Sequence, residues 1–211
     1  MQRPAVRHLV QARRSSEPAT RFRFVLDQYN RHHLHRRHCG PQAMNPPFDQ
    51  SRFAVVLDCP DPERRGGKFL SYVGDQIRED TWQEFHDDLF AIPSNARRLY
   101  LPLCFDIGVR GDGMADAFSF YGHSADSLIV EITEGFRLLG LPQVADLVDL
   151  AYRYWKDPAS PMHGDSVPWR RMDEDLNDVH GRYFRGTEDL FALVGTLVTE
   201  WGEDRIHRSP V

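Results

Sequence analysis

Lysine is nearly missing from this sequence: two lysines stand against 24 arginines. Cysteine is scarce as well. Cys39, Cys59 and Cys104 are too few and too scattered for a disulfide scaffold or a four-thiolate zinc site. Thiols used so sparingly fit a reducing cytoplasm, which is the expected compartment. No apolar run approaches the roughly 20 residues a membrane-spanning helix needs, which argues against an integral membrane protein. There is no Gly-x-Ser-x-Gly elbow to carry a nucleophile, and Gly111-Asp112-Gly113 lacks the lysine and the preceding strand of a phosphate-binding loop. Cys104 falls among apolar neighbours in a helical stretch, where a thiol packs and stays protonated. The expectation is a protein that is not an enzyme and carries no cofactor.

What is present is an uneven distribution of charge. The 211 residues suit one domain with an appended segment, and 41% hydrophobic with 27% charged residues is an ordinary globular balance. Residues 1–40 hold nine arginines against Glu17 and Asp27, a net +7, while the remainder carries −12. The same basic stretch contains five of the ten histidines and ends in the run from Arg31 to Cys39. An Arg-rich, acid-poor beginning can be a nucleic-acid arm, a transit peptide, a flexible tail or residue upstream of a true start at Met44. No secretory apolar region and no cleavage-site pattern stand out. Residues 1–43 are therefore set apart as a basic, flexible segment. His32, His33, His35, His38 and Cys39 have donor types that suit zinc or nickel, but they lie in a segment without core residues, and no metal site is expected there.

Beyond Met44 the sequence reads as helices. Asn45-Pro46-Pro47 is extended, and Phe53-Ala54-Val55-Val56-Leu57 is the one strand-like run, so residues 44–66 are expected to form an extended arm with a short strand. Gly66-Gly67 reads as a turn. From residue 67 to 211 a helical domain follows. Phe69, Leu70, Val73 and Ile77 share a helix face, and Thr81-Trp82-Gln83-Glu84 is a capping box opening a helix that buries Phe85 and Leu89 and stops at Pro93. A helix from about Ser94 to Gly108 comes next, then a glycine turn from Val109 to Met114. Ser124 starts a helix striped with Leu128, Ile132, Phe136 and Leu139, capped by Gly140. Pro142 opens its partner, which turns Val144, Leu147, Val148, Ala151 and Trp155 inward. Helices near Trp169–Tyr183 and Thr187–Trp201 complete an all-α domain of six or seven helices.

From Arg97 to about Arg205 the order of features resembles a bacterial helical family of unknown function whose best-known member is a DNA mimic. The counterparts are Gly111-Asp112-Gly113-Met114 followed by Phe118, Phe120 and Tyr121; then Phe136-Arg137-Leu138-Leu139-Gly140 and Ala151; then Met172-Asp173-Glu174-Asp175-Leu176 with Tyr183 and Phe184. The family's Asn-Gly-Gly-Phe is Gly111-Asp112-Gly113-Met114 here, and its following Gln is Asp116, so any role of that amide does not carry over. The resemblance implies a helical fold, and for the best-known member a dimer that binds a transcription factor in place of DNA.

DNA mimicry needs carboxylates spread over a rigid surface as phosphates are spread over a duplex. Asp75, Glu79, Asp80, Glu84, Asp87 and Asp88 form one acidic window, and Asp173, Glu174, Asp175 and Asp178 form another. Such runs are also what an ordinary solvated helix face looks like. The leading expectation is a cytoplasmic, non-catalytic, acidic binding module, a homodimer if the family pattern holds. It would meet a protein partner through Asp80, Glu84, Asp87, Asp88, Asp173 and Asp175 and an aromatic notch at Phe118, Phe120 and Tyr121, without direct nucleic-acid binding by the helical body. One alternative is a divalent-metal hydrolase in which Asp112 and Asp116, with Asp106 and His123, hold the ion. Another is nucleic-acid binding through the arginine-rich segment. His86 and His123 read as lone, non-catalytic histidines.

Overall fold

The computed structural model describes residues 50–77, 82–122 and 126–207. The basic segment 1–43, with its histidine run, lies outside them. Among the described residues the chain is all-α: ten α-helices, one short 3-10 turn and no strand. No described helix is long and apolar enough to cross a membrane. The helices beyond the expected number are a first one in place of the strand, an extra one after Gly113, and two where one was expected near Trp169.

The strand-like run is helix α1, Gln50–Leu57. Burial shows why. Phe53 and Val56 are buried at helical spacing, whereas Val55, which a strand would place with Phe53, is 58% exposed. A short apolar run does not distinguish the two periods by itself; here α1 rests on α2 and α10, and Phe53 packs its ring on Tyr72 and His207. Helix α2, Pro62–Gly74, begins before the expected boundary at residue 67. Asp61 caps it by accepting from the Arg64 amide at 2.8 Å, and Pro62 opens its first turn.

Gly66-Gly67 is therefore not a turn but the middle of α2, and a packing reason places glycine there. A Cβ on Gly66 would come within 2.1 Å of the Phe191 carbonyl oxygen in α10, and one on Gly195 of α10 within 1.9 Å of the Pro62 oxygen. The two helices cross backbone on backbone, with Arg65 donating to the Gly195 carbonyl at 3.1 Å beside the crossing.

Helix α3, Trp82–Ala91, buries Phe85 and Leu89 as expected and stops before Pro93; the capping Thr81 lies outside the described residues. Helix α4, Ser94–Asp112, runs through Gly108 to the end of the expected turn. It is buried along most of its length, packing against α2, α3, α5, α6 and α10. Pro102 sits inside it and cannot donate to the Arg98 carbonyl one turn back. Gly135 of α6 lies over that carbonyl, so close that a Cβ would stand 2.2 Å from the oxygen. Only Gly113 leaves helical geometry, at φ +92°, before α5, Met114–Gly122.

Helices α6, Asp126–Leu138, and α7, Pro142–Lys156, pack as the hairpin the sequence predicts, with Leu128, Ile132, Phe136, Val144, Leu147 and Val148 inward. Gly140 at φ +76° closes α6, and the Leu141 amide reaches back to the Phe136 carbonyl at 2.9 Å. A 3-10 turn, Pro161–Gly164, leads to α8, Pro168–Asp175, and α9, Asn177–Gly186. The single helix expected here is divided at Leu176, whose ψ of 21° bends the chain. Helix α10, Leu190–Ile206, starts later than expected and continues past Trp201 through a kink at Gly202.

The glycine crossing gives a direct prediction. Gly66→Ala and Gly195→Ala should each lower stability by about 2 kcal/mol or more, because backbone must move to admit the methyl group. Gly164→Ala, with no atom within 4 Å of the new carbon, should change it by less than about 0.5 kcal/mol. Urea unfolding of the three variants reads the difference.

Candidate functional site

The C-terminal end of α4 collects polar groups from three parts of the chain. Asp106 is buried there, one helical turn before Arg110, and accepts from its Nε at 2.7 Å. Arg110 continues outward: its second guanidinium nitrogen donates to the Thr187 hydroxyl at 2.9 Å and to the Thr187 carbonyl at 3.3 Å. The guanidinium also lies 5.3 Å from the centre of the Phe184 ring. The Thr187 hydroxyl in turn donates to the Tyr183 carbonyl, which closes the last turn of α9. Arg110 therefore ties the start of the α9–α10 turn, and with it Glu188 and Asp189, to the end of α4.

Burial raises the Asp106 carboxyl above its ordinary range; Arg110, by hydrogen bond and charge, and the Thr187 and Tyr183 side chains work against that rise without cancelling it. The signal for the pair was legible as an Asp–Arg spacing of four on one helix. Nothing in the sequence marks Thr187 or Tyr183 as its companions.

A second group stands on the other side of Gly113. A Cβ on this glycine would lie 3.8 Å from both carboxylate oxygens of Asp173, near the end of α8. Asp173 in turn faces His180 of α9, with Oδ1 3.4 Å from the ring Nδ1. Burial raises the Asp173 carboxyl, partly offset by His180. Burial lowers the His180 ring, partly offset by Asp173. This pairing has the composition of a catalytic dyad but not its access. The far nitrogen of His180, Nε2, is sealed from solvent and has no hydrogen-bond partner among the described residues. It cannot hand a proton to a bound molecule.

The predicted contact residues have mixed placements. Asp80 lies outside the described residues, as do the side chains of Phe120 and Tyr121. Glu84 and Asp88 are half-buried and Asp87 is exposed on α3, which rests on α4; Asp173 and Asp175 sit on α8, which rests on α5 and the 3-10 turn. The two acidic windows thus have different supports. Asp175 is engaged, accepting from Arg171 at 2.9 Å and from the Tyr154 hydroxyl. Those two donors, Tyr154 first, hold its carboxyl below the ordinary value. Phe118 is fully buried against Phe105, Tyr152 and Trp155, so it belongs to the core and not to a surface notch.

In the glycine motif, Gly111 and Asp112 are exposed in the last turn of α4, Gly113 makes the break, and Met114 is buried at the start of α5. Asp116 is half-buried in the first turn of α5, while Asp106 points into the pair with Arg110. Asp106 is thus committed elsewhere, and His123 lies outside the described residues. Among those residues no three His, Cys, Asp or Glu side chains gather as a metal site would require. His86 stands beside Asp87 at 3.7 Å and stacks on Phe90.

Compared with known proteins, the chain matches no family model, no curated sequence and no solved structure. The reading of the site therefore rests on its geometry.

That geometry makes Asp106 testable by pH. Because its pKa is raised, the folded chain holds this proton more firmly than the unfolded chain does. Its contribution is fullest below the ordinary value of 3.8 and is lost as pH rises through the raised value. Asp106→Asn, which keeps an acceptor for Arg110, should therefore gain stability relative to the native protein as pH rises from the ordinary value of 3.8 through the raised one. A constant difference between the two urea midpoints would contradict the assignment. Asp106→Ala, which strands the Arg110 donor, should cost about 2 kcal/mol at neutral pH.

Proposed function

We propose that this chain is an acidic helical binding module, acting in the cytoplasm on a protein partner with a basic surface such as DNA-binding proteins carry. One observation carries the reading. The end of α4 gathers Asp112, the Asp173–Glu174 step of α8 and the Glu188–Asp189 step before α10 into a single corner, through the Gly113–Asp173 approach and the Arg110–Thr187 bonds. Asp112, Glu174, Glu188 and Asp189 are exposed there, and none has an ion-pair partner among the described residues. Some carboxylates elsewhere are paired: Arg137 meets Glu134, Asp146 and Asp149, and Lys156 meets Asp126. The C-terminal end of α4 adds its own partial negative charge to the corner.

A surface of this kind repels a phosphate backbone and attracts the face that binds one. The resemblance to the helical family with a DNA-mimic member points the same way. The contact set moves accordingly, from the Asp87–Asp88 window toward the corner at Gly113. Phe118, being core, has no part in it.

The experiment is capture on the immobilised full chain from a lysate of the native host, eluted with salt and with duplex DNA. A DNA-binding protein displaced by duplex at moderate salt, and not retained by the triple variant Glu174→Lys, Glu188→Lys, Asp189→Lys, is the expected result. All three positions are exposed, so the fold should survive, as circular dichroism will show. Equal retention by the variant would overturn the electrostatic account.

A further inference from the structure

We propose that the α8–α9 arm is a proton-released clasp, held on the helical body by the neutral form of His180. The inference concerns the arm itself and stands whether or not the corner binds a partner. His180 is half-buried on α9, its side chain 14% exposed, with Nδ1 turned to Asp173 and Nε2 sealed without a partner. A neutral ring fits this site: Nδ1 lies 3.4 Å from the Asp173 carboxylate, and Nε2 keeps only a lone pair toward the interior. A second proton would place an N–H donor and a full charge where no acceptor waits. Folding of the arm and protonation of the ring oppose each other.

The surroundings provide little to soften that conflict. Asp173, from α8, is the charged group acting on the ring. Its own carboxyl is raised by burial, so its charge weakens as the solution turns acidic. From α4, Asp106 and Arg110 are committed to each other and to Thr187. On α9 itself, Asp178 stands 4.0 Å from Arg182, and Arg185 lies against Gly181. From α7, on which α9 packs, Asp146 and Asp149 pair with Arg137, Arg153 donates to the Asp149 carbonyl, and Lys156 pairs with Asp126. None of these groups supplies an acceptor at Nε2.

The arm also has a definite attachment to release. Val179 and Tyr183 are its buried residues on α9, and Tyr183 meets Phe105 of α4 and Phe136 of α6 edge-on, each at 6.1 Å. The α2–α10 crossing, by contrast, is backbone against backbone. A second histidine held low by burial, His207, sits where α1 meets α10, packed on Phe53 and Tyr72. Its titration would register in residues 50–57 and around Tyr72 of α2, not in the arm.

Hydrogen exchange of the full chain, corrected for the intrinsic effect of pH, tests the clasp. Residues 168–186 should lose protection on acidification below about pH 6.5, by up to about tenfold per pH unit, the limit for one titrating group. Residues 62–68, at the glycine crossing and away from His207, should keep theirs. His180→Phe, which fills the space and takes no proton, should abolish the acid response of the arm. Asp173→Asn, which removes the compensating charge, should strengthen it. If His180→Phe does not fold, His180→Gln serves as the neutral ring replacement. An unchanged acid response in the neutral variant, or a loss shared equally by residues 62–68, would overturn the proposal.

Discussion

The structure depends on one helix that is buried on nearly every side and nevertheless carries charge at both ends. Helix α4 brings Arg97 and Asp106 into the interior, and taking a lone ion out of water costs several kcal/mol. Each is met on the spot. Arg97 donates to the Phe90 and Ile92 carbonyls, at 3.4 and 3.1 Å, and to Glu131 of α6 at 3.3 Å, with its guanidinium over the Phe90 ring. The open end of α3 is thereby joined to α4 and α6 through a single side chain. Asp106 does the corresponding work at the other end, joining α4 through Arg110 to the turn before α10. The remaining helices are arranged by these two polar joints and by two glycine contacts, Gly66 with Gly195 across α2 and α10, and Gly135 over the carbonyl that Pro102 leaves without its usual donor.

Much of this was legible in the sequence where a single period dominates. The stripes of α6 and α7 and the glycine between them specify a hairpin, and the hairpin forms. Burial of Phe85 and Leu89 was equally plain. The misreadings share a physical cause. Phe53 to Leu57 has too few residues to separate a period of two from one of 3.6, and only packing on Tyr72 and His207 decides it. Gly66-Gly67 looks like a turn because glycine loosens a chain, yet here its value is the missing side chain. The Asp106–Arg110 spacing was visible, but its burial is set by Thr187 and Tyr183, far along the chain. Phe118 shows the reverse error, an aromatic beside a glycine motif that turns out to be core.

The proposed acidic corner rests on the same joints. Arg110 bonds to Asp106 and Thr187, and it forms no ion pair with the carboxylates at the end of α4. Gly113, without a side chain, lets Asp173 approach from α8. What remains outside is Asp112, Glu174, Glu188 and Asp189. In the proposed reading, the corner is set by how α4 satisfies its buried charge and is carried on helix ends.

That claim is tested most directly by mapping where the full chain meets a short arginine-rich peptide at low salt, by chemical shifts of its backbone amides. Shifts concentrated in residues 110–116, 173–180 and 187–190, and removed by added salt, are what a corner built on α4 predicts. Shifts centred on α3, or scattered evenly over the surface, would contradict it.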